Sequence, residues 1–331
     1  MITSPSRMRA RVPILAAAAL AVVLLAPFVG QHRVTFDALL DPGGGTTEAV
    51  ILWQIRVPRM LVALLGGAAL ALGGAVFQAL FRNPLATPYT LGVASGASFG
   101  VALVTWFGLA PLGSARPETA GALAGALLAT AVVWAVARRG PDVSPAVLLL
   151  AGVAMSFFFS SLILFLQYAV SPGDAYRVMR WLMGGLAAVD GATAVWVTPF
   201  TLLGGAVALW HARELDLLSL GGDLAASRGV AVATVRRVLF VATSVMVGGV
   251  VAACGPVGFV GLMAPHICRL LIGPDHRRLL PASMLFGGAF LVGCDALART
   301  VLAPMEVPVG VLTAFVGGPF FLWLLLRHVR G

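Results

Sequence analysis

The sequence contains no lysine: all 22 of its basic residues are arginine. Charged residues of both signs fill only 11% of its 331 positions. Each shortage removes a class of chemistry. A Walker-type loop needs a lysine on the nucleotide phosphates and a Schiff-base enzyme needs a lysine amine, so both are excluded. Cysteine is scarce too. Cys254, Cys268 and Cys294 lie far apart in apolar sequence with no CxxC spacing, which reads as buried thiols. No GxSxG, HExxH or paired-acid motif falls within the apolar runs, and His266 stands alone in "APHIC". No catalytic residue and no metal ligand is therefore assigned. The 13 acidic residues lie almost wholly in loops. An ion-coupled carrier, the alternative reading, usually places acids at mid-membrane. Asp295 is the one such candidate, and Arg299 a helical turn later offers it a local ion pair.

What the chain has in excess is apolar sequence, with 60% hydrophobic residues and a mean hydropathy of +0.98. A soluble domain is nearer half apolar and a quarter charged. The reading is an all-α polytopic membrane protein. Ten apolar runs stand out, near 12–30, 60–80, 91–110, 119–137, 146–169, 192–210, 237–253, 258–272, 280–298 and 308–326. The first follows Arg7, Arg9 and Arg11 like a signal peptide. It is long for one and lacks a clear cleavage site, so it is kept as a span. The eighth is the weakest, diluted by Pro265, His266 and Arg269. A net charge of +9 could suggest nucleic acid, but the arginines are spread through interhelical loops, where they orient the chain. With both termini inside, fifteen fall in inner segments and seven in outer ones.

Four stretches break the apolar pattern. In "LFRNPLATPYTLG", Leu80 to Gly92, Pro84 ends a helix and Pro88 stiffens the return, which predicts a short rigid loop. Before it, Gly66, Ala69 and Gly73 share one helical face, and Gly67, Ala71 and Gly74 the next, so close helix packing is expected. Gln78 on that helix either bonds a neighbour or lines a path. Residues 171–190 carry an amphipathic turn on the outer side. Residues 211–236 form the longest inner loop, read as two surface helices broken at Gly221–Gly222. There Leu215, Leu218, Leu220 and Leu224 give an apolar face beside Glu214, Asp216 and Asp223, and its mixed acids favour a protein partner over anionic lipid. A permease driven by another subunit's ATP would use such an inner surface and needs no Walker motif.

From about residue 51 onward the chain resembles the FecCD-type permeases of bacterial ABC importers, which carry ferric siderophores, haem or vitamin B12. Five ordered stretches carry the likeness: "WQIRVPRMLVALLGGAALALGGAVFQALFRNPLATPYTLGVASGASFG", "LDLLSLGGDLAASRGV", "GPVGFVGLMAPHICRLLIGPDHRRLLP", "CDALAR" and "EVPVGVLTAFVGGPFFLWLLLR". The resemblance implies one permease domain over 1–331 with the type II importer fold, about ten spans, N-in and C-in, in the bacterial inner membrane. It implies a second permease copy, an ATP-binding cassette ATPase dimer inside and a substrate-binding protein outside. This subunit then binds lipid but no nucleic acid and no cofactor, ATP and Mg belonging to the ATPase. A cytoplasmic gate is implied at Asn83, Pro84, Leu85 and Ser144. ATPase coupling falls to Leu215, Asp216, Leu218, Leu220, Gly221, Asp223 and Gly229. Binding-protein docking falls to Arg56, Arg59 and Arg299. The chain departs from the family at Gly222–Asp223, often two acids, and at Ala226 and Arg228, more often arginine and leucine. "NPLATPYTLG" looks most like siderophore permeases, with haem and cobalamin next.

Overall fold

A computed structural model describes the backbone of residues 5–109, 117–138 and 144–329. Arg116, Arg139, Arg330 and the start of the "DVSPAV" loop lie outside the described residues, as do the side chains of Arg7, Arg9, Arg11 and Arg327. No strand occurs among the described residues. Helix α1 (Pro5–Leu25) leads to an outer segment, then α2 (Thr47–Val50), which runs through a π-helical turn (Ile51–Arg56) into α3 (Val57–Phe81). There follow α4 (Val93–Trp106), α5 (Pro117–Ala137), α6 (Pro145–Ala169), the amphipathic α7 (Pro172–Leu182) and α8 (Gly191–Trp210). The inner loop folds as α9 (Ala212–Leu220) and α10 (Gly222–Ser227). Helices α11 (Val232–Cys254), α12 (Val260–Ile272), α13 (His276–Ala298) and α14 (Val309–Val329) complete the chain.

Each of the ten apolar runs is helical. Six helices among the described residues are long and apolar enough to cross a membrane: the continuous Thr47–Phe81, α5, α6, α8, α11 and α13. The apolar parts of α1, α4, α12 and α14 are shorter.

Helix α3 sits at the centre because its side chains are small. A Cβ added at Gly67 would lie 2.3 Å from the Gly287 carbonyl oxygen of α13, and one at Gly74 only 1.7 Å from the Gly261 carbonyl oxygen of α12. The other small-residue face packs on α11, where a Cβ at Gly73 would meet Val247 at 2.8 Å. In lipid, where burial of apolar surface gives helices no drive to associate, this approach of backbones supplies the dispersion contacts that hold them.

Helices α4 and α12 have 14 and 13 residues, about 20 Å each at 1.5 Å per residue, well short of a hydrocarbon core of about 30 Å. Each is preceded by irregular chain, and those two segments are tied together. The Tyr89 hydroxyl donates to the Val257 carbonyl at 2.7 Å and accepts from the Val257 N–H at 2.5 Å. Irregular backbone survives at such depth only when it is buried and its polar groups are satisfied. The Tyr89 hydroxyl, donor and acceptor at once, clamps the two segments together. All three cysteines are buried and free, as expected.

Candidate functional site: a gate loop against a cytoplasmic helix pair

The rigid loop expected after α3 is present. Arg82 takes a left-handed conformation, φ 48°, and ends the helix before Pro84. The Asn83 side chain accepts from the Leu85 N–H at 2.9 Å, and its carbonyl accepts from the Ala86 N–H at 3.1 Å. Thr87 and Thr90 then cap the next turn reciprocally around the buried Pro88. Leu85 is left exposed at the tip. Ser144 is the N-cap residue of α6, and its neighbour Pro145 lines a small cavity with Leu80, Phe81, Arg236 and Phe240. The end of α3 and the start of α6 thus border one space, which Asn83, Pro84, Leu85 and Ser144 themselves do not line.

Next to this space lies the helix pair. Its break is where the sequence puts it: Gly221 adopts φ 144°, a conformation that side-chain-bearing residues rarely adopt, and Gly229 closes α10 at φ 84°. The expected single leucine face is not what forms. Leu215 and Leu218 are buried against the permease, whereas Leu220 (69% exposed) and Leu224 point outward with Asp223. Helical geometry explains the split. Leu215 and Leu218 are three residues apart and share a side, while Leu220 falls about 200° round from Leu218. Leu218 is thus an internal anchor, and the exposed leucines of the pair are Leu220 and Leu224. Asp216 also turns inward, to His276 of α13. The gate loop lies near this pair, with Arg82 Nη1 3.8 Å from where a Cβ on Gly221 would sit.

The outer arginines differ from their expected placing. Arg56 and Arg59 lie within the continuous helix rather than beyond its end, and with Arg299 all three are buried. Most of their donors are used inside the chain, and Arg299 Nη1 has no hydrogen-bond partner among the described residues. Arg56 donates to the carbonyls of Pro27 and His32. Arg59 bonds Asp295 at 2.8 Å and Glu306 at 2.8 Å. Arg299 pairs with Asp295 at 3.3 Å, as expected from their spacing, and donates to the Ala26 carbonyl. All three are buried, so a partner's carboxylate would reach them only by way of the outer cavity that Arg59 lines. Gln78 is corrected likewise. It is buried, donating to the Gly261 carbonyl (3.4 Å) and accepting from Arg269 (3.1 Å), so it bonds α12 instead of lining a path. On the outer side a cavity of about 540 Å³ opens between α7 and residues 305–308, with Arg180 and Met179 on one wall and Glu306 on the other.

A family model described as the FecCD transport family matches residues 17–327. The chain belongs to the FecCD transport family. It is 39% identical over 302 residues to the hemin transport system permease protein HmuU of Yersinia pestis, covering 91% of this chain and 90% of that one. It is 43% identical over 281 residues to the vitamin B12 import system permease protein BtuC of Klebsiella pneumoniae, covering 84% and 83%. A solved chain of a metal-chelate type ABC transporter in an inward-facing conformation superposes with a TM-score of 0.85 at 31% identity, over 95% of this chain and 97% of that one. This FecCD protein is a multi-pass membrane permease, with the all-α fold read from its sequence.

Sequence reasoning missed Tyr89, Arg82, His276 and Glu306. Tyr89 and Arg82 lie inside the quoted proline loop, where the reading assigned roles to Asn83, Pro84, Leu85 and Pro88 and gave none to these two. Asp275 in "GPDHRR" carried a usable signal: it is a helix N-cap, its carboxylate accepting from the Arg277 N–H at 3.1 Å. That cap marks His276 as a residue whose own N–H needs a partner from elsewhere.

Proposed function

We propose that this protein is the permease subunit of a bacterial ABC importer that moves a metal chelate inward, with a ferric siderophore first among substrates and haem or cobalamin next. Two copies form the path. An ATP-binding cassette ATPase dimer, which binds ATP and Mg, docks on α9 and α10, and a substrate-binding protein delivers from outside. The reading rests on one observation above the others: an exposed Leu220–Leu224 surface whose glycine break lies beside Arg82 of the gate loop. A secondary carrier needs no such surface. In this reading the buried arginines serve docking indirectly, by fixing the outer ends of α3 and α13, and the partner meets exposed residues around them.

The test is assembly. Purified permease alone should show no ATP turnover, and with its ATPase it should co-purify and hydrolyse. Leu220→Asp places a charge in the docking surface and should weaken co-purification by about 2 kcal/mol or more, while the protein still inserts. An intact complex with unchanged transport would sink the reading and favour the ion-coupled carrier.

A further inference from the structure

Asp216 of α9 holds on to the first turn of α13. Its Oδ1 accepts from the backbone N–H of His276 at 2.9 Å and lies 2.6 Å from His276 Nδ1. An ionised carboxylate can only accept, so Nδ1 carries the proton and both bonds converge on one oxygen. The first N–H groups of a helix have no partner within it, and the helix end favours negative charge, so the carboxylate meets both needs. His276 is 4% exposed, and its Nε2 has no hydrogen-bond partner among the described residues. The ring is held on one side only, by α9.

Helix α13 does not move independently of α3. Besides Gly67 on Gly287, a Cβ on Gly288 would lie 2.8 Å from the Leu64 carbonyl oxygen, and Arg59–Asp295 joins the outer ends. The inner end of α3 carries the gate loop, and Arg82 lies beside Gly221. The helix pair is thus bonded to α13 through Asp216 and His276 and seated on the bundle by the buried Leu215 and Leu218.

We propose that Asp216 and His276 are a positioning pair that makes α9 and α13 move as one, so that a displacement of α9 reaches the gate loop. This rests on α9 and α10 being the ATPase-facing surface. Without the latch, α9 can tilt on its buried leucines while α13 stays still.

The complete permease–ATPase complex tests it through a single engineered Leu85→Cys at the exposed loop tip, since the native cysteines are buried. The probe is the rate of maleimide labelling, compared without nucleotide and with ATP and vanadate. With His276 present, that rate should change with nucleotide. His276→Leu should shrink the change by at least about fivefold, the lower end of typical coupling between sites. His276→Asn, which keeps a donor near the place of Nδ1, should restore most of it. A merely structural role would lower yield in both variants and would not be rescued in this ratio. If His276→Leu does not assemble, His276→Gln, which moves the donor away from that place, carries the same expectation. A His276→Leu complex that hydrolyses ATP with the full labelling change overturns the proposal. If the complex with His276 intact never assembles, the functional reading fails, and the latch with it.

Discussion

Helices α3 and α6 have 25 residues each and similar hydropathy, yet they occupy opposite situations. Of the most apolar stretch of the helix containing α3, 72% is buried inside the protein, against 22% for α6. Hydropathy tells both helices to enter the bilayer and is silent on which becomes the axis of the bundle. Side-chain volume decides that. Helix α3 presents Gly66, Gly67, Gly73 and Gly74, whereas α6 presents Phe157, Phe158, Leu164 and Phe165, all exposed. Small residues let two neighbours, α12 and α13, come to backbone contact, and large ones hold neighbours away and fill lipid-facing or partner-facing space. One point on α6 obeys the rule of α3: a Cβ on Gly152 would lie 2.5 Å from the Thr90 carbonyl oxygen, where α6 meets the gate loop.

The harshest way to break the contrast is to add volume to α3. Gly74→Leu forces at least a Cβ into a carbonyl 1.7 Å away, on a helix held from several sides. Overpacking commonly costs about 1–3 kcal/mol, and here neither backbone can yield, so no monodisperse protein should be recovered by size-exclusion chromatography. Recovery of native-like, stable protein would mean that α3 is not the tight axis described. A second, smaller effect is expected at its outer end. Arg59→Leu removes the link between Asp295 and Glu306, but Asp295 keeps Arg299 at 3.3 Å. The loss should therefore sit near the bottom of the range for breaking a buried pair, about 3 kcal/mol, measured by denaturant titration in detergent. A cost below about 1 kcal/mol would leave these arginines free for a partner, as the sequence alone suggested.

Much of this arrangement is legible in the sequence. The ten apolar runs, the two small-residue faces of α3 and the break at Gly221–Gly222 all follow from periodicity and residue size, because those features act over one or two helical turns. The partners of Arg59, Asp216 and Tyr89 do not, since they lie 236, 60 and 168 residues away. Local spacing finds Asp295 with Arg299, but it cannot reveal that Arg59 shares the same carboxylate. Helical spacing does put Leu218 and Leu220, two positions apart, about 200° round from each other. It does not say which of the two is buried, because that depends on how α9 seats on the rest of the bundle.

The helix pair gives the third test and carries the volume argument to the inner surface. Leu218→Asp should behave like a change in α3: a charge at a buried site, with loss of folded protein. Leu220→Asp should leave unfolding within about 0.5 kcal/mol, as usual for surface positions. Equal stability losses for the two would show that α9 is not seated as described.

The smallest effect is expected on α6, and it sharpens the comparison most. Phe157 is 73% exposed and Phe158 56%, on a helix whose neighbours are held at a distance. If lipid tails cover that face, Phe157→Ala and Phe158→Ala exchange one apolar contact for another, and unfolding of the detergent-solubilised protein should shift by no more than about 0.5 kcal/mol. If a second permease copy covers it, the same rings lie in a protein interface. Truncating a central aromatic there costs about 2 kcal/mol or more. The two cases separate by concentration. An interface makes apparent stability depend on protein concentration, a dependence that its loss weakens or abolishes, whereas a lipid contact carries none. Running both alanine variants across a dilution series, with cross-linking to count subunits, distinguishes the low burial of a lipid-facing helix from that of one waiting for its copy. A large, concentration-independent loss fits neither case and would mean that α6 packs within the subunit far more closely than its exposed phenylalanines indicate.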